Sequence, residues 1–153
     1  MDFTVDTMCG RLVSYLRFCG YDTEYIEQRE AGDRAAIADE LESAGRTLIT
    51  RDHTFASMAD RAILLTEMTL DEQLRSLSAQ GVHLSLPAEP IRCGRCNGEL
   101  DEVVEAHIEP PEYVPTDLDE ELYRCRSCGQ YFWRGSHWDR VNNRLDSVLP
   151  PEE

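Results

Sequence analysis

The segment FTVDTMCGRLVSYLRFCGYDTEYI, residues 3 to 26, carries the pattern that decides the fold. FTVD (3–6) predicts a β-strand, a helical stretch then runs to Gly20, and DTEYI (22–26) predicts a second strand. The apolar positions that recur at helical spacing are Met8, Leu12, Val13, Leu16 and Cys19. A strand, a helix and another strand in this order are typical of parallel strands joined by a crossover helix. The segment therefore predicts the beginning of a parallel α/β sheet.

The same alternation of strands and helices continues to residue 88. Asp33 is suited to cap the next helix and Gly45 to end it, and Thr69 and Glu72 have the spacing of a capping box. The predicted elements are the helix DRAAIADELESA (33–44), the strand RTLIT (46–50), a short helix in HTFASMAD (53–60), the strand AILLT (62–66) and the helix LDEQLRSLSAQ (70–80). Units of this length favour the α/β class for residues 1–88, with a parallel sheet flanked by helices.

Pro87 and Pro90 break this pattern and predict a boundary. Residues 91–149 contain short strand-like segments, two cysteine pairs and the Pro-rich stretch EPPEYVPTDLDEE (109–121), which we interpret as an exposed insertion. The chain is therefore expected to have two parts, an α/β domain at 1–88 and a small second domain at 91–149.

The two cysteine pairs predict a zinc ribbon. Cys93 and Cys96 form one C-x-x-C motif, and Cys125 and Cys128 form another. This spacing lets two turns present four thiolates to one zinc ion, which leaves no open position for substrate, so the zinc is expected to be structural. The alternatives are a redox pair or disulfides, which a cytosolic location disfavours. The remaining cysteines, Cys9 and Cys19, are expected to be reduced core residues.

Three aspartates are expected at one edge of the sheet. Asp6 ends the first strand, Asp52 follows the strand RTLIT, and Asp33 begins the helix before that strand. Parallel strands bring their carboxyl ends to one edge, which is where open α/β folds bind ligands. Carboxylate oxygens suit magnesium or manganese. The alternative is that Asp33 is only a helix cap and that Asp6 and Asp52 only form turns.

Several motifs together resemble the Mut-seven C-terminal RNase domain family. They are DTMCGRLVSYLRFCGYDT (6–23), DRAAIA (33–38), GRTLITRD (45–52), and C-x-x-C followed by YFWRGSHW (131–138). The resemblance implies a PIN-like nuclease domain with a C-terminal zinc ribbon. It implies that Asp6, Asp33 and Asp52 bind the catalytic metal, with Asp60 as a candidate fourth acid, and that Gly10 and Arg11 match the family's glycine and basic pair.

The charge of the chain indicates its environment. The formal net charge is -15, and all 15 basic residues are arginine. Strong acidity without lysine predicts adaptation to high salt, as in a halophilic archaeon. No apolar run approaches the roughly 20 residues of a membrane span, and the N-terminus lacks a secretory pattern. We therefore expect a cytoplasmic protein that does not bind membranes.

The stretch YRCRSCGQYFWRGSHW (123–138) predicts a contact with RNA. Five arginines and a single acid, Asp139, lie between residues 124 and 144. Arginine beside aromatic rings suits phosphate contact and base stacking. The expected RNA contacts are Arg124, Arg126, Arg134 and Trp138 in the ribbon and Arg11 and Arg51 near the aspartates. Tyr131 and Trp133 are expected to pack around the zinc knuckle.

These predictions combine into a metal-dependent endoribonuclease. Magnesium or manganese at the aspartates would support hydrolysis of RNA, with ribosomal or transfer RNA among the candidate substrates, while the zinc ribbon binds the RNA. Two other functions are compatible with the sequence. One is an RNA- or ribosome-binding adaptor with a catalytically idle acidic cleft, and the other is a protein-interaction module built on the ribbon.

Overall fold

The first four strands form a parallel sheet in a computed structural model, which describes residues 1–26, 33–104, 109–116, 118 and 120–150. The strands are β1 (Phe3–Val5), β2 (Thr23–Tyr25), β3 (Thr47–Thr50) and β4 (Ala62–Leu64). Their order is β2-β1-β3-β4, and every neighbouring pair is parallel. All four carboxyl ends therefore meet at one edge, here called the carboxyl edge, and the opposite edge is called the amino edge. The predicted parallel α/β sheet is confirmed.

Four helices connect and follow these strands: α1 (Leu12–Phe18), α2 (Arg34–Ala44), α3 (His53–Met58) and α4 (Leu70–Ala79). The predicted caps are present, because Asp33 accepts a hydrogen bond from the Ala36 N–H and Thr69 accepts one from the Glu72 N–H. Gly45 ends α2 in the left-handed conformation, with φ of 68°.

The helix predicted from Met8 is interrupted. The Asp6 side chain caps a short 3-10 turn at Thr7–Cys9, and α1 begins only at Leu12. Gly10 lies between the two pieces. A Cβ at this position would stand 2.5 Å from the Tyr25 hydroxyl oxygen, so glycine fits best here. The interruption leaves Met8 half exposed and directs the chain away from the end of β1.

The sheet separates two apolar clusters. The larger cluster joins Phe3, Val5 and Ile49 of the sheet to residues of α1 and α4. The smaller cluster covers the other face and consists of Ile26, Ile37, Leu41, Leu48 and Phe55. Helices α2 and α3 therefore pack on one face and α1 and α4 on the other, which confirms the predicted sheet flanked by helices.

The cysteine-rich segment forms a second, antiparallel sheet of three strands. These are β5 (Leu100–Glu102), β6 (Tyr123–Cys125) and β7 (Tyr131–Phe132), with β6 in the centre. The predicted insertion connects β5 and β6, and its described part is not wholly exposed. Val114 is buried, and the Tyr113 ring stacks on Trp133 with ring centroids 6.3 Å apart.

The last helix, α5 (Ser136–Val148), joins the two parts of the chain. Its residues Val141, Leu145 and Val148 belong to the same buried cluster as the core of the parallel sheet. The division into domains at 1–88 and 91–149 stays a prediction, but the C-terminal helix of the second segment completes the core of the first. Within the described ranges, no helix combines the length and the apolar character needed to cross a bilayer.

The first cysteine turn docks on the amino edge of the parallel sheet. Asn97 adopts a left-handed conformation with φ of 74°. Its side-chain amide donates to Asp22 Oδ1 at 2.8 Å, and its Oδ1 accepts from the Thr23 N–H at 2.8 Å. Arg17 in α1 donates to the Gly94 carbonyl at 3.1 Å. The turn therefore supplies a partner for a backbone group at the start of edge strand β2.

This docking makes Asn97 important for stability. Replacing Asn97 with alanine removes both hydrogen bonds and leaves a non-glycine residue in a left-handed conformation. We expect Asn97→Ala to lower the free energy of unfolding by about 2–4 kcal/mol. Asn97→Gly should cost less, because glycine adopts positive φ freely. Urea unfolding of the zinc-loaded protein in high salt measures both values, and wild-type stability in Asn97→Ala would contradict the docking role.

The pH dependence provides a second measurement of the same contact. Burial acts to raise the pKa of Asp22, but hydrogen bonds from Arg46 and Asn97 outweigh it and hold the pKa below its ordinary value. The resulting stabilisation is complete above the unfolded-state pKa of about 4 and is lost as the pH falls through the lower folded-state pKa. We therefore expect the stability difference between wild type and Asn97→Ala to narrow in acid.

Candidate functional site

The four predicted zinc ligands converge in the ribbon. Their sulfur atoms all lie within 4.8 Å of one another, and among the described residues these four form the one such group of metal-ligating side chains. Two similar turns bring them together, since Asn97 with φ of 74° and Gly129 with φ of 77° occupy the same position after each pair. The ligands are Cys93, Cys96, Cys125 and Cys128.

The spacing of the sulfurs fits a zinc ion. The Sγ atoms of Cys93 and Cys128 are 3.7 Å apart, and those of Cys96 and Cys125 are 3.4 Å apart. Zinc–sulfur bonds of about 2.3 Å in a tetrahedron would separate the sulfurs by about 3.8 Å. The cluster can therefore hold a zinc ion with little adjustment, and four thiolates would complete its coordination.

The turns also shift the pKa values of the cysteine thiols. Burial raises the pKa of the Cys93 thiol to about 12. Burial acts in the same direction on Cys125, but N–H groups of Cys128 and Ser127 donate to its sulfur and help to lower its pKa to about 7. A Cβ at Gly98 would lie 2.6 Å from that sulfur, so the close approach requires glycine. The second turn is thus built to stabilise a thiolate.

At the carboxyl edge, Asp6 and Asp52 are linked through Thr50. The Thr50 hydroxyl donates to Asp6 Oδ2 at 2.7 Å and accepts from the Asp52 N–H at 3.0 Å. Thr50 is fully buried and Asp6 is only 4% exposed. The link holds the ends of neighbouring strands β1 and β3 in a fixed relation.

Asp52 has partners at both carboxylate oxygens. Oδ1 accepts from the N–H groups of Thr54 and Phe55 at 2.9 and 3.2 Å, which caps α3. Oδ2 forms an ion pair with Arg34 at the start of α2. Asp52 therefore caps a helix, a role weighed from the sequence only for Asp33 among the three aspartates, and it also carries a charge at the carboxyl edge.

The other two acids lie differently. Asp33 is exposed and caps α2, and it does not form a group of close ligand atoms with Asp6 and Asp52 in this arrangement. Asp60 lies between the end of α3 and the start of β4, which is the amino edge. The topology therefore excludes Asp60 as a fourth acid. Glu67, which follows β4 at the carboxyl edge, is better placed.

Sequence reasoning missed Thr50 and Arg34. The sequence did contain a signal for Thr50. In TLITRD, Thr50 follows Ile49 and therefore points to the opposite face of the strand, and it stands two residues before Asp52. Arg34 had no such signal, since its contact with Asp52 joins residues 18 positions apart. Only the assembled sheet brings these groups together.

The ribbon arginines have acidic or aromatic neighbours. Arg126 donates two hydrogen bonds to Asp101 and one to Glu99, all between 2.7 and 2.8 Å. Arg134 pairs with Glu121 at 2.5 Å. The positive charge counted along residues 124 to 144 is therefore partly neutralised by acids from other strands and loops.

The aromatic rings of the same stretch are mostly committed to packing. Trp138 is partly buried against the main core, with its ring 6.0 Å from Phe18 in an edge-on arrangement. Arg124 lies over the Tyr131 ring at 5.5 Å. Trp133 stacks on Tyr113 of the insertion. Its expected packing around the zinc knuckle stays a prediction.

The two arginines predicted near the aspartates do lie at the carboxyl edge. Arg11 immediately precedes α1 and is exposed. Arg51 is half-buried between Thr50 and Asp52, with its Nη2 2.6 Å from the Met68 sulfur. The remaining cysteines match expectation in being free, with Cys9 buried in the core and Cys19 packed against it.

These features define a class of protein, an α/β fold with a four-stranded parallel sheet followed by a small ribbon with a four-cysteine cluster that can hold a metal ion. The family model of the Mut7-C RNAse domain matches residues 1–145, and the chain belongs to this family. Membership indicates a nuclease-type role with RNA as substrate or partner. Neither the comparison with curated proteins nor the comparison with solved structures gave a match.

The cluster geometry predicts one zinc ion per chain. We expect Cys128→Ala to lose the zinc and to melt at a markedly lower temperature, because metal binding at such a site supplies folding free energy. Cys19→Ala is the matched control and should keep the zinc, since Cys19 lies outside the cluster. Metal analysis and thermal unfolding check both variants. A Cys128→Ala protein with full zinc content would contradict the assignment.

Proposed function

We propose that the protein is a metal-dependent endoribonuclease with a PIN-like domain, in which the carboxyl edge hydrolyses RNA phosphodiesters. Family membership supports a nuclease-type role. The observation that carries the location of the site is the Asp6–Thr50–Asp52 link, because it ties the Asp6 carboxylate to the backbone of Asp52 at the ends of adjacent strands. No comparable link is needed for two aspartates that only form turns.

The donor chemistry of this edge fits a hard divalent cation. Asp6, Asp52 and Asp33 would hold magnesium or manganese, and Glu67 is a further carboxylate on the same side of the sheet. Such an ion would supply positive charge that polarises a phosphate oxygen and makes water more acidic. The chain itself contributes the fixed position of Asp6, whose burial and hydrogen bonds restrict its rotamer.

The geometry favours Arg11 and Arg51 as phosphate contacts beside this edge. Arg11 immediately precedes α1 and is exposed, and Arg51 directly follows β3, so both lie beside the carboxyl ends of the strands. The ribbon docks at the amino edge through Asn97. Arg124, Arg126, Arg134 and Trp138 remain proposed RNA contacts, but they would act on a part of the RNA distant from the cleavage position.

A cytoplasmic location and adaptation to high salt complete the proposal. A reducing cytosol would keep four thiols available for zinc. High ionic strength would screen repulsion among the 30 acidic residues. RNA assays are therefore best performed in molar salt, with dilute buffer as a comparison.

The aspartate site predicts which substitutions abolish cleavage. We expect Asp6→Asn and Asp52→Asn to lower manganese-dependent RNA cleavage by roughly 100-fold or more, because each removes a charge from the reacting edge. Asp60→Asn is the matched control, since it removes the same charge at the amino edge, and it should cleave like wild type. The assay measures initial rates on a panel of labelled RNAs in high salt.

The controls also separate the other functions. Equal loss of activity in Asp60→Asn would show a general charge effect and would contradict the assigned edge. Wild-type cleavage by Asp52→Asn would also contradict the assigned edge. RNA binding without any cleavage would support the catalytically idle adaptor, and the absence of both would support a protein-interaction module.

The ion pairs of the ribbon predict a ranking of RNA contacts. We expect Arg11→Ala to reduce the slope of log affinity against log salt by about 0.7, the value for the loss of one phosphate contact with a single strand. Arg126→Ala should change the slope less, because Asp101 and Glu99 already engage this guanidinium. Both slopes are measured by fluorescence anisotropy with single-stranded RNA, using proteins that also carry Asp52→Asn. A larger change for Arg126→Ala would contradict the ranking.

A further inference from the structure

Arg34 is a cation that the proposed cleavage site does not yet use. It is the first residue of α2, and its guanidinium contacts the Oδ2 atom of Asp52 at the start of α3. The guanidinium also lies over the Phe55 ring, 5.2 Å from the ring centroid. Two independent contacts, one ionic and one with an aromatic face, therefore hold this side chain against the carboxyl edge.

The position of Arg34 matters because the carboxylate of Asp52 has only one oxygen that is not occupied by backbone N–H groups. Its Oδ1 atom already accepts two backbone N–H groups at the cap of α3. Oδ2 is the oxygen left for a cation, and it is the oxygen that Arg34 engages. A divalent ion and the guanidinium would therefore meet at the same atom.

Charge balance gives a reason for this arrangement. The Thr50 hydroxyl joins the Asp6 carboxylate to the Asp52 backbone N–H, and negative charges at the ends of adjacent strands repel unless a cation offsets them. Arg34 lies on α2, a different element from either acid, so it can leave Asp52 by side-chain rotation without moving the sheet. Its side chain is 34% exposed, which leaves room for such a movement.

We propose that Arg34 is a tethered counter-ion that occupies Asp52 when the carboxyl edge holds no divalent ion and competes with that ion for Oδ2. The proposal rests on the proposed nuclease site and deepens it by naming a residue of this chain that sets the affinity for the metal. Arg34 is a positioning residue, since it acts through Asp52.

The direction of the effect distinguishes competition from a structural role. If Arg34 only held Asp52 in place, its removal would weaken metal binding. If it competes, its removal strengthens binding. For an exposed ion pair, which is worth up to about 1 kcal/mol, we expect the dissociation constant for Mn²⁺ to fall about fivefold in Arg34→Ala.

The test is a titration of Mn²⁺ into the zinc-loaded full chain in molar salt. Electron paramagnetic resonance measures the concentration of free Mn²⁺ at each step. Arg34→Lys keeps a positive charge and should bind Mn²⁺ nearly as wild type does. Arg61→Ala is the charge-matched control, because Arg61 is exposed and precedes β4 at the amino edge. It should also bind like wild type. Thermal unfolding verifies that each variant is folded.

The outcomes separate this proposal from the function beneath it. Tighter Mn²⁺ binding in Arg34→Ala but not in Arg61→Ala supports the tethered counter-ion. Unchanged or weaker Mn²⁺ binding in a folded Arg34→Ala protein overturns the tethered counter-ion. The proposed nuclease site survives that result if Asp52→Asn alone binds Mn²⁺ more weakly than wild type does. Mn²⁺ binding that is the same in wild type and Asp52→Asn overturns both.

Discussion

The hydroxyl of Thr50 is the contact on which the proposed chemistry depends. It joins Asp6 at the end of β1 to the backbone of Asp52 just after β3, through hydrogen bonds of 2.7 and 3.0 Å. The two strands are neighbours and parallel, so their ends are already adjacent. The buried hydroxyl turns this adjacency into a fixed relation between two acidic positions. Arg34 forms an ion pair with Asp52 at this edge.

The fold separates this acidic edge from the cysteine cluster of the ribbon. The cysteine cluster docks at the amino edge through Asn97, Asp22 and Thr23, while Asp6 and Asp52 lie at the carboxyl edge. Helix α5 leaves the ribbon and completes the core beneath the sheet. The cysteine-rich ribbon thus contributes to the fold that holds the acids. Its cysteine cluster lies away from the carboxyl edge.

Local patterns in the sequence predicted most of the fold. The alternation of strand and helix gave the parallel sheet, and the two C-x-x-C pairs gave the four-cysteine cluster, because both signals depend on neighbours in the chain. Contacts between distant elements were missed. The pairing of Arg126 with Asp101 reduces a charge that looked uncompensated along the sequence, and the parallel register of β3 and β4 excludes Asp60 from the acidic edge.

The chemical identity of the RNA ends tests the central claim most directly. Hydrolysis at the proposed acidic site would use water and not the ribose 2′-hydroxyl, and we predict products with 5′-phosphate and 3′-hydroxyl ends that form with wild type and not with Asp52→Asn. Products with a 2′,3′-cyclic phosphate, formed equally by Asp52→Asn, would contradict the account.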